Sequence, residues 1–180
     1  MRGLLEKTNV LVIGPMEEGL KEGEEVRKYI KSRLGKIKIN VWDHYSRPFM
    51  EEVEESEDSH LEMNYLRKTK QFEELAKFKD IRRQDLSLVD TADIIICVFN
   101  TKTYTTGTFE ELFLANSLRK PIFFVWGDGK ENCPFWMFWT LPHQYIYGSL
   151  DEALETIKKI NNRTQEIDSK RWRLKKYEYR

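Results

Sequence analysis

Residues 81 to 126 read IRRQDLSLVDTADIIICVFNTKTYTTGTFEELFLANSLRKPIFFVW. Two short apolar runs stand out in this stretch, Ile94 to Phe99 (IIICVF) and Ile122 to Trp126 (IFFVW). Both are short and rich in β-branched or aromatic residues, which fits strands buried on both faces of a parallel sheet. Between them, Gly107 to Leu118 predicts a helix with Leu112, Ala115 and Leu118 facing inward. A strand, a helix and a strand in succession form a βαβ unit with a right-handed crossover.

The same alternation extends in both directions. Asn9 to Gly14 (NVLVIG) reads as a buried strand that ends in glycine. Residues 23 to 34 place Val26, Tyr29, Ile30 and Leu34 on one helical face, and Ile37 to Trp42 alternates as a second strand. Leu61 to Phe78 predicts a helix with Leu66, Phe72, Leu75 and Ala76 as contacts. After Trp126 comes an aromatic-rich connection, residues 127 to 142, and then a short strand at Tyr145 to Tyr147. Ser149 and Glu152 form a capping box for a last helix striped by Leu150, Leu154, Ile157 and Ile160. The pattern predicts a single α/β domain over residues 1–162, with a flavodoxin-like, doubly wound parallel sheet of about five strands in the order 2-1-3-4-5. Residues 163–180 form a charged C-terminal tail, with Trp172, Tyr177 and Tyr179 as anchors.

Composition narrows the function classes. Apolar residues make up 40% and aromatics 13% of 180 residues, enough for a packed core. Lys+Arg and Asp+Glu are both 30, so net charge exerts no general pull toward a nucleic acid polymer or an anionic membrane. Six acids crowd residues 51 to 58 and read as a solvated segment. No apolar run approaches the roughly 18 residues that span a bilayer, and the N-terminus lacks a signal-peptide core. Cys97 lies within a strand run as an inert thiol, and two cysteines without a His/Cys cluster make no zinc site. The expectation is a cytoplasmic protein that needs no metal or other cofactor.

Ligands of such sheets bind outside the carboxyl ends of the strands, and three segments lie there. Gly14-Pro15-Met16 follows the first strand, where glycine permits close approach of a ligand; a plain tight turn explains it equally. Asn100 to Glu111 leads through a threonine-rich loop and Gly107 into a helix start whose N–H groups and hydroxyls suit an anion or a sugar. Glu110 and Glu111 stand in the first turn, where acids are also favoured by the helix dipole alone. Asp85 precedes the central strand, either as the N-cap of a short helix leading to Asp90 or as a working carboxylate.

The combination of Asp85, the Ile94 to Phe99 strand, Gly107 with Glu111-Leu112, Ala115 and Lys120-Pro121 resembles the nucleoside 2-deoxyribosyltransferase family, in particular its small, phage-like members. The resemblance covers roughly residues 9 to 160. It implies that Glu111 attacks the anomeric carbon of a nucleoside, that Asp85 is the acid/base, and that a second purine or pyrimidine base resolves the glycosyl-enzyme with retention. Substrate contacts are implied at Gly14, Pro15, Met16, Thr105, Gly107 and Thr108. Where some transferases carry a sugar-binding Asp, this chain has Thr105; related nucleoside-monophosphate N-glycosidases carry a phosphate-binding Ser there. The alternative reading is therefore a nucleoside 5′-monophosphate N-glycosidase, in which water replaces the acceptor base. Another is a nucleotide-binding module without turnover. Glu110 is assigned to the surface, about 100° around the helix from Glu111. His44, His60 and His143 are given surface or structural roles. Phe135, Trp136, Phe138 and Trp139 are expected to cover the site or form a homo-oligomer contact, the alternative being burial against Leu154 and Ile157.

Overall fold

β3 (Ile94–Phe99) lies at the centre of a five-stranded sheet, between β1 (Asn9–Ile13) and β4 (Ile122–Trp126). Its residues pair with both neighbours, Ile95 facing Leu11 on one side and Ile122 on the other. β2 (Asn40–Trp42) extends the sheet beyond β1, and β5 (Ile146–Tyr147) beyond β4. Every pairing is parallel and the order is β2-β1-β3-β4-β5, the flavodoxin-like arrangement. The computed structural model describes residues 3–14, 20–44, 57–99 and 106–174.

Helices cover both faces. α1 (Leu20–Gly35) and α7 (Leu150–Asn161) meet on one side, joined by the Tyr29 hydroxyl, which donates to Asp151 at 2.6 Å. α4 (Lys79–Thr91) and α5 (Thr106–Ser117) pack against each other on the opposite side, as right-handed crossovers require. α2 (Glu57–Lys68), α3 (Phe72–Leu75) and α6 (Met137–Thr140) are peripheral. Residues from all five strands, with Ile30, Leu34, Leu88, Leu112, Leu154 and Ile157, form one continuous core. Among the described residues no helix is long and apolar enough to cross a membrane.

Several boundaries differ from the sequence expectation. The helix foreseen over 61–78 is broken: Lys70 takes a left-handed φ of 59° after α2, and a 3₁₀ turn at Ala76–Phe78 follows α3. Leu66, Phe78 and Ile81 form a small satellite cluster there, and Phe72 is exposed rather than in contact. β2 is three residues long, because Ile37 and Lys38 are spent closing the end of α1 through N–H bonds to Leu34 and Gly35. Leu118 lies beyond α5 and is exposed, not inward-facing. Ser149 caps α7, its Oγ accepting from the Glu152 N–H, while the Glu152 carboxylate accepts from the N–H of Gly148, one residue before the position a capping box would use.

Trp172 and Leu174 are buried, Trp172 lying 4.0 Å between ring centroids from Tyr145. Arg119 donates to the carbonyls of Lys170 and Arg171, and Arg171 reaches Asn116 and the carbonyl of Thr140. Residues 165–174 thus lie across the β4–β5 side. Lys120 is also buried: its ammonium donates to the carbonyls of Asp90 (2.8 Å) and Ala92 (2.5 Å) and so satisfies the end of α4.

Gly14, directly after β1, lies against β3 so closely that a Cβ would stand 2.8 Å from the carbonyl oxygen of Val98. The obstacle is backbone, so the sheet itself would have to shift. Gly14→Ala is expected to destabilise the protein by roughly 1–3 kcal/mol, the usual cost of overpacking. Thermal denaturation followed by circular dichroism checks this, and an unchanged midpoint would contradict it.

Candidate active site

Three elements deliver ionisable side chains to one place beside the carboxyl end of the sheet. His44 leaves the end of β2 just after Asp43, which is buried and paired with Lys31 of α1 at 2.8 Å. Asp85 comes from the middle of α4, and Glu111 from the second turn of α5. All three are nearly sealed from solvent, at 4%, 6% and 3% exposure. One nitrogen of His44 and one oxygen of each carboxylate lie within 4.8 Å of one another.

Asp85 is therefore not an N-cap: α4 begins six residues earlier, at Lys79, and carries Asp85 on the face it buries with Ile81, Leu88 and Val89. The sequence gives that face a clear period once the helix is started early enough. Glu111 shares the buried face of α5 with Thr108, Leu112 and Ala115.

His44 Nε2 lies 3.1 Å from Glu111 Oε1 and 3.9 Å from Asp85 Oδ1. With Glu111 ionised, Nε2 carries the hydrogen and donates. Arg82, one turn before Asp85 on α4, completes the group. Its Nη1 donates to Glu111 Oε1 at 2.6 Å and stands 3.6 Å from Asp85 Oδ2. Its Nη2 donates to the carbonyl of Gly107 at 2.8 Å, and Nε and Nη2 both lie 2.8 Å from Glu110 Oε2. Glu110 is exposed, as its position on the helix suggested, but it holds the outer side of Arg82 rather than only meeting solvent.

The electrostatics follow from this geometry. Burial pushes the Glu111 carboxyl upward, but the hydrogen bond and charge of His44 and the charge and hydrogen bond of Arg82 outweigh it, so Glu111 is held below its ordinary value. For Arg82, burial opposes the charged form, and Glu111 and Glu110 overcome it. Burial first, and the nearby Glu111 charge second, raise the Cys97 thiol well above its usual range, so it stays neutral. Burial likewise raises Cys133 to about 11. The carboxylate–imidazole group has the donor types of a metal site. However, Glu111 Oε1 already accepts from a guanidinium that stands beside Asp85 as well, so the positive charge a divalent ion would bring is supplied by Arg82.

The remaining expected site residues are distributed as follows. Thr108 is buried in the first turn of α5, Gly107 accepts from Arg82, and Gly14 directly follows β1. Pro15, Met16 and Thr105 lie outside the described residues. His44 belongs to the site and not to the surface; His60 is half-buried and His143 exposed. A signal for His44 exists in the sequence: the run Val41-Trp42-Asp43-His44 places it directly past a strand, at the edge where ligands of such sheets bind. A chain of aromatic rings starts at the end of the central strand. Phe99, the last residue of β3, stacks on Phe109 of α5 at 4.7 Å, and Phe109 continues to Phe113 and Trp136.

No protein-family model matches the chain, and no curated protein sequence does. Solved structures are similar in fold. A conserved protein from Enterococcus faecalis V583 superposes with a TM-score of 0.56 at 14% identity, covering 85% of this chain and 98% of that one. The CMP N-glycosidase BcmB of Clostridium botulinum superposes with a TM-score of 0.48 at 15% identity, covering 84% and 98%. At these identities the likeness is one of fold.

Because the folded state lowers the Glu111 value, its ionisation stabilises the protein above the ordinary carboxylate range, near pH 4.3. That contribution is lost as pH falls through the lower folded value. Glu111→Gln is therefore expected to be less stable than wild type at pH 7, with the gap closing as pH falls below the ordinary carboxylate range. Thermal midpoints of both proteins across that range test this; a gap independent of pH would refute it.

Proposed function

We propose that this protein cleaves the N-glycosidic bond of a nucleoside or nucleotide by double displacement. The observation that carries the proposal is the close approach of two buried carboxylates, Asp85 and Glu111, with one of them held as an anion. Carboxyl groups only about 5–5.5 Å apart suit retaining enzymes, where one attacks directly; inverting enzymes need roughly 6.5–9.5 Å to seat a water between them. Glu111 forms a bond to the anomeric carbon as the carbon–nitrogen bond breaks. The electron pair leaves with the base, which takes a proton from the Asp85 carboxyl group. A second base attacks the glycosyl-enzyme, Asp85 receives its proton, and Glu111 is released as carboxylate. His44, between the two carboxylates, keeps Glu111 ionised while Asp85 changes state.

The rings that start at Phe99 are the surface we assign to a planar base. Phe99 points to the same face of the sheet as Cys97, which feels the Glu111 charge, and Phe109 extends that surface. Contacts to the sugar or a 5′-phosphate are assigned to Gly14, Pro15 and Met16, which follow β1 in sequence, and to Thr105, Gly107 and Thr108, in the sequence that leads into α5, whose N–H groups suit an oxyanion. Transfer to a second base is the preferred outcome on the family resemblance, and base release without an acceptor would reassign the protein as a hydrolase.

Incubation with a deoxynucleoside, with and without a second free base, tests the reaction. Glu111→Gln should lose several powers of ten in turnover with its fold intact. Asp85→Asn should lose about 10²–10⁴-fold, mainly in kcat. Wild-type turnover in Glu111→Gln would remove the proposed nucleophile.

We also propose a homo-oligomer whose contact includes the α6 region. Phe135 and Trp139 are 69% and 80% exposed, Trp136 rests on Phe109 and Phe113, and none of these is buried beneath α7. Continuous exposed aromatic surface of this kind is uncommon on monomers. Light scattering should give a mass that is a multiple of 21.6 kDa, collapsing in Trp139→Ala with helix content unchanged. A wild-type mass near one chain would defeat this.

A further inference from the structure

Glu111 is bound asymmetrically. Both of its polar side-chain contacts, Arg82 Nη1 at 2.6 Å and His44 Nε2 at 3.1 Å, fall on Oε1; among the described residues none falls on Oε2. A buried carboxylate with one oxygen held twice and the other left open is an oriented anion. The orientation comes chiefly from Arg82, whose planar fork is fixed at three further points: the Gly107 carbonyl, the Glu110 carboxylate and, more distantly, Asp85 Oδ2. Three of its four partners belong to the first two turns of α5, so the guanidinium ties the helix start and the Glu111 side chain to α4 as one unit.

We infer that Arg82 is the positioning residue of this site, clamping Glu111 through Oε1 so that Oε2 is the atom that bonds to the anomeric carbon. The inference rests on the double-displacement reading for its chemistry, but not for the clamp itself. When Oε2 forms the ester, Oε1 becomes its carbonyl oxygen and keeps accepting from Arg82 and His44. No proton need leave the guanidinium, which stays charged at every stage. Lysine would keep the charge but not the fork, because an ammonium is a point donor that cannot bind Glu111, Gly107 and Glu110 together in one plane.

Charge and orientation can therefore be separated by substitution. The groups facing Glu111 are Arg82 and Asp85 from α4, His44 after β2, Cys97 from β3 and Glu110 from its own helix. Carbon-13 NMR of the glutamate carboxyls, with the Glu111 signal assigned by its absence in Glu111→Gln, follows the titration of that group without any substrate. Arg82→Gln should raise the Glu111 midpoint by about 1–3 pH units, the usual effect of losing a cation in contact. Arg82→Lys should leave the midpoint low. Both variants should lose about 10²-fold in kcat with KM little changed, the scale of loss that a misplaced reacting group causes. If Arg82→Gln does not fold, Arg82→Lys carries the test alone: low midpoint with reduced kcat supports the clamp, and wild-type kcat overturns it. An unmoved midpoint in a folded Arg82→Gln also overturns it. If wild type releases no base from any nucleoside while the Arg82→Gln midpoint rises, the clamp stands and the reaction assignment fails. If wild type turns over and the midpoint stays, the clamp alone fails.

Discussion

A carboxylate that is 97% removed from solvent, as Glu111 is, cannot remain charged without partners, because desolvation of a lone ion costs more than the fold can spare. Its pairing links three parts of the chain that are far apart in sequence: residue 44 after β2, residue 82 on α4 and residue 111 on α5. Each segment is set by the core before it reaches the site. Lys31 holds Asp43, and so the point from which His44 emerges. Ile81, Leu88 and Val89 fix the rotation of α4, and Leu112 and Ala115 fix that of α5. The site is a junction of rigid elements more than a property of a loop, and this is the condition under which sub-ångström positioning is possible.

The pairings also differ in kind. Arg82 is about one-third exposed and reaches outward to Glu110, whereas His44 is enclosed with Asp85. Glu110 and Glu111 therefore share one guanidinium from opposite sides, although their side chains leave the helix about 100° apart. A single exposed ion pair of this sort adds little stability. The network instead restricts where a buried negative charge can point, and such use of paired charge is specificity of geometry rather than strength.

The sheet was legible because its strands are nearly pure apolar runs, and parallel strands buried on both faces have to be. Ile94–Phe99 and Ile122–Trp126 match their expected limits, and Asn9–Ile13 differs only in excluding Gly14. Glu111 and Asp85 were visible as residue types at ends of elements, yet the helix around Asp85 was not. Lys79 to Gln84 carries four charges that mask the period, and the buried face shows only when Ile81, Asp85, Leu88 and Val89 are read together. Arg82 and Glu110 were opaque for a different reason: each sits on the polar side of its own helix, and only the packing of α4 on α5 turns those sides toward each other. Trp172 was legible as an anchor of a charged segment, and Tyr145 and Phe123 are the rings that receive it.

The choice of a guanidinium beside Glu111 has a consequence for how charge is shared within the buried group. Imidazole and carboxyl groups exchange protons readily, so a site built from His44, Asp85 and Glu111 alone could place its proton on any of the three. A proton on Glu111 would replace a buried anion by a neutral acid. Arg82 biases that distribution with a charge that does not titrate in water. It makes the Glu111 anion the favoured state. Two carboxylates in one buried group thereby meet different surroundings: Glu111 is bonded at 2.6 Å to the guanidinium and held as the anion, whereas Asp85 stands 3.6 Å from it.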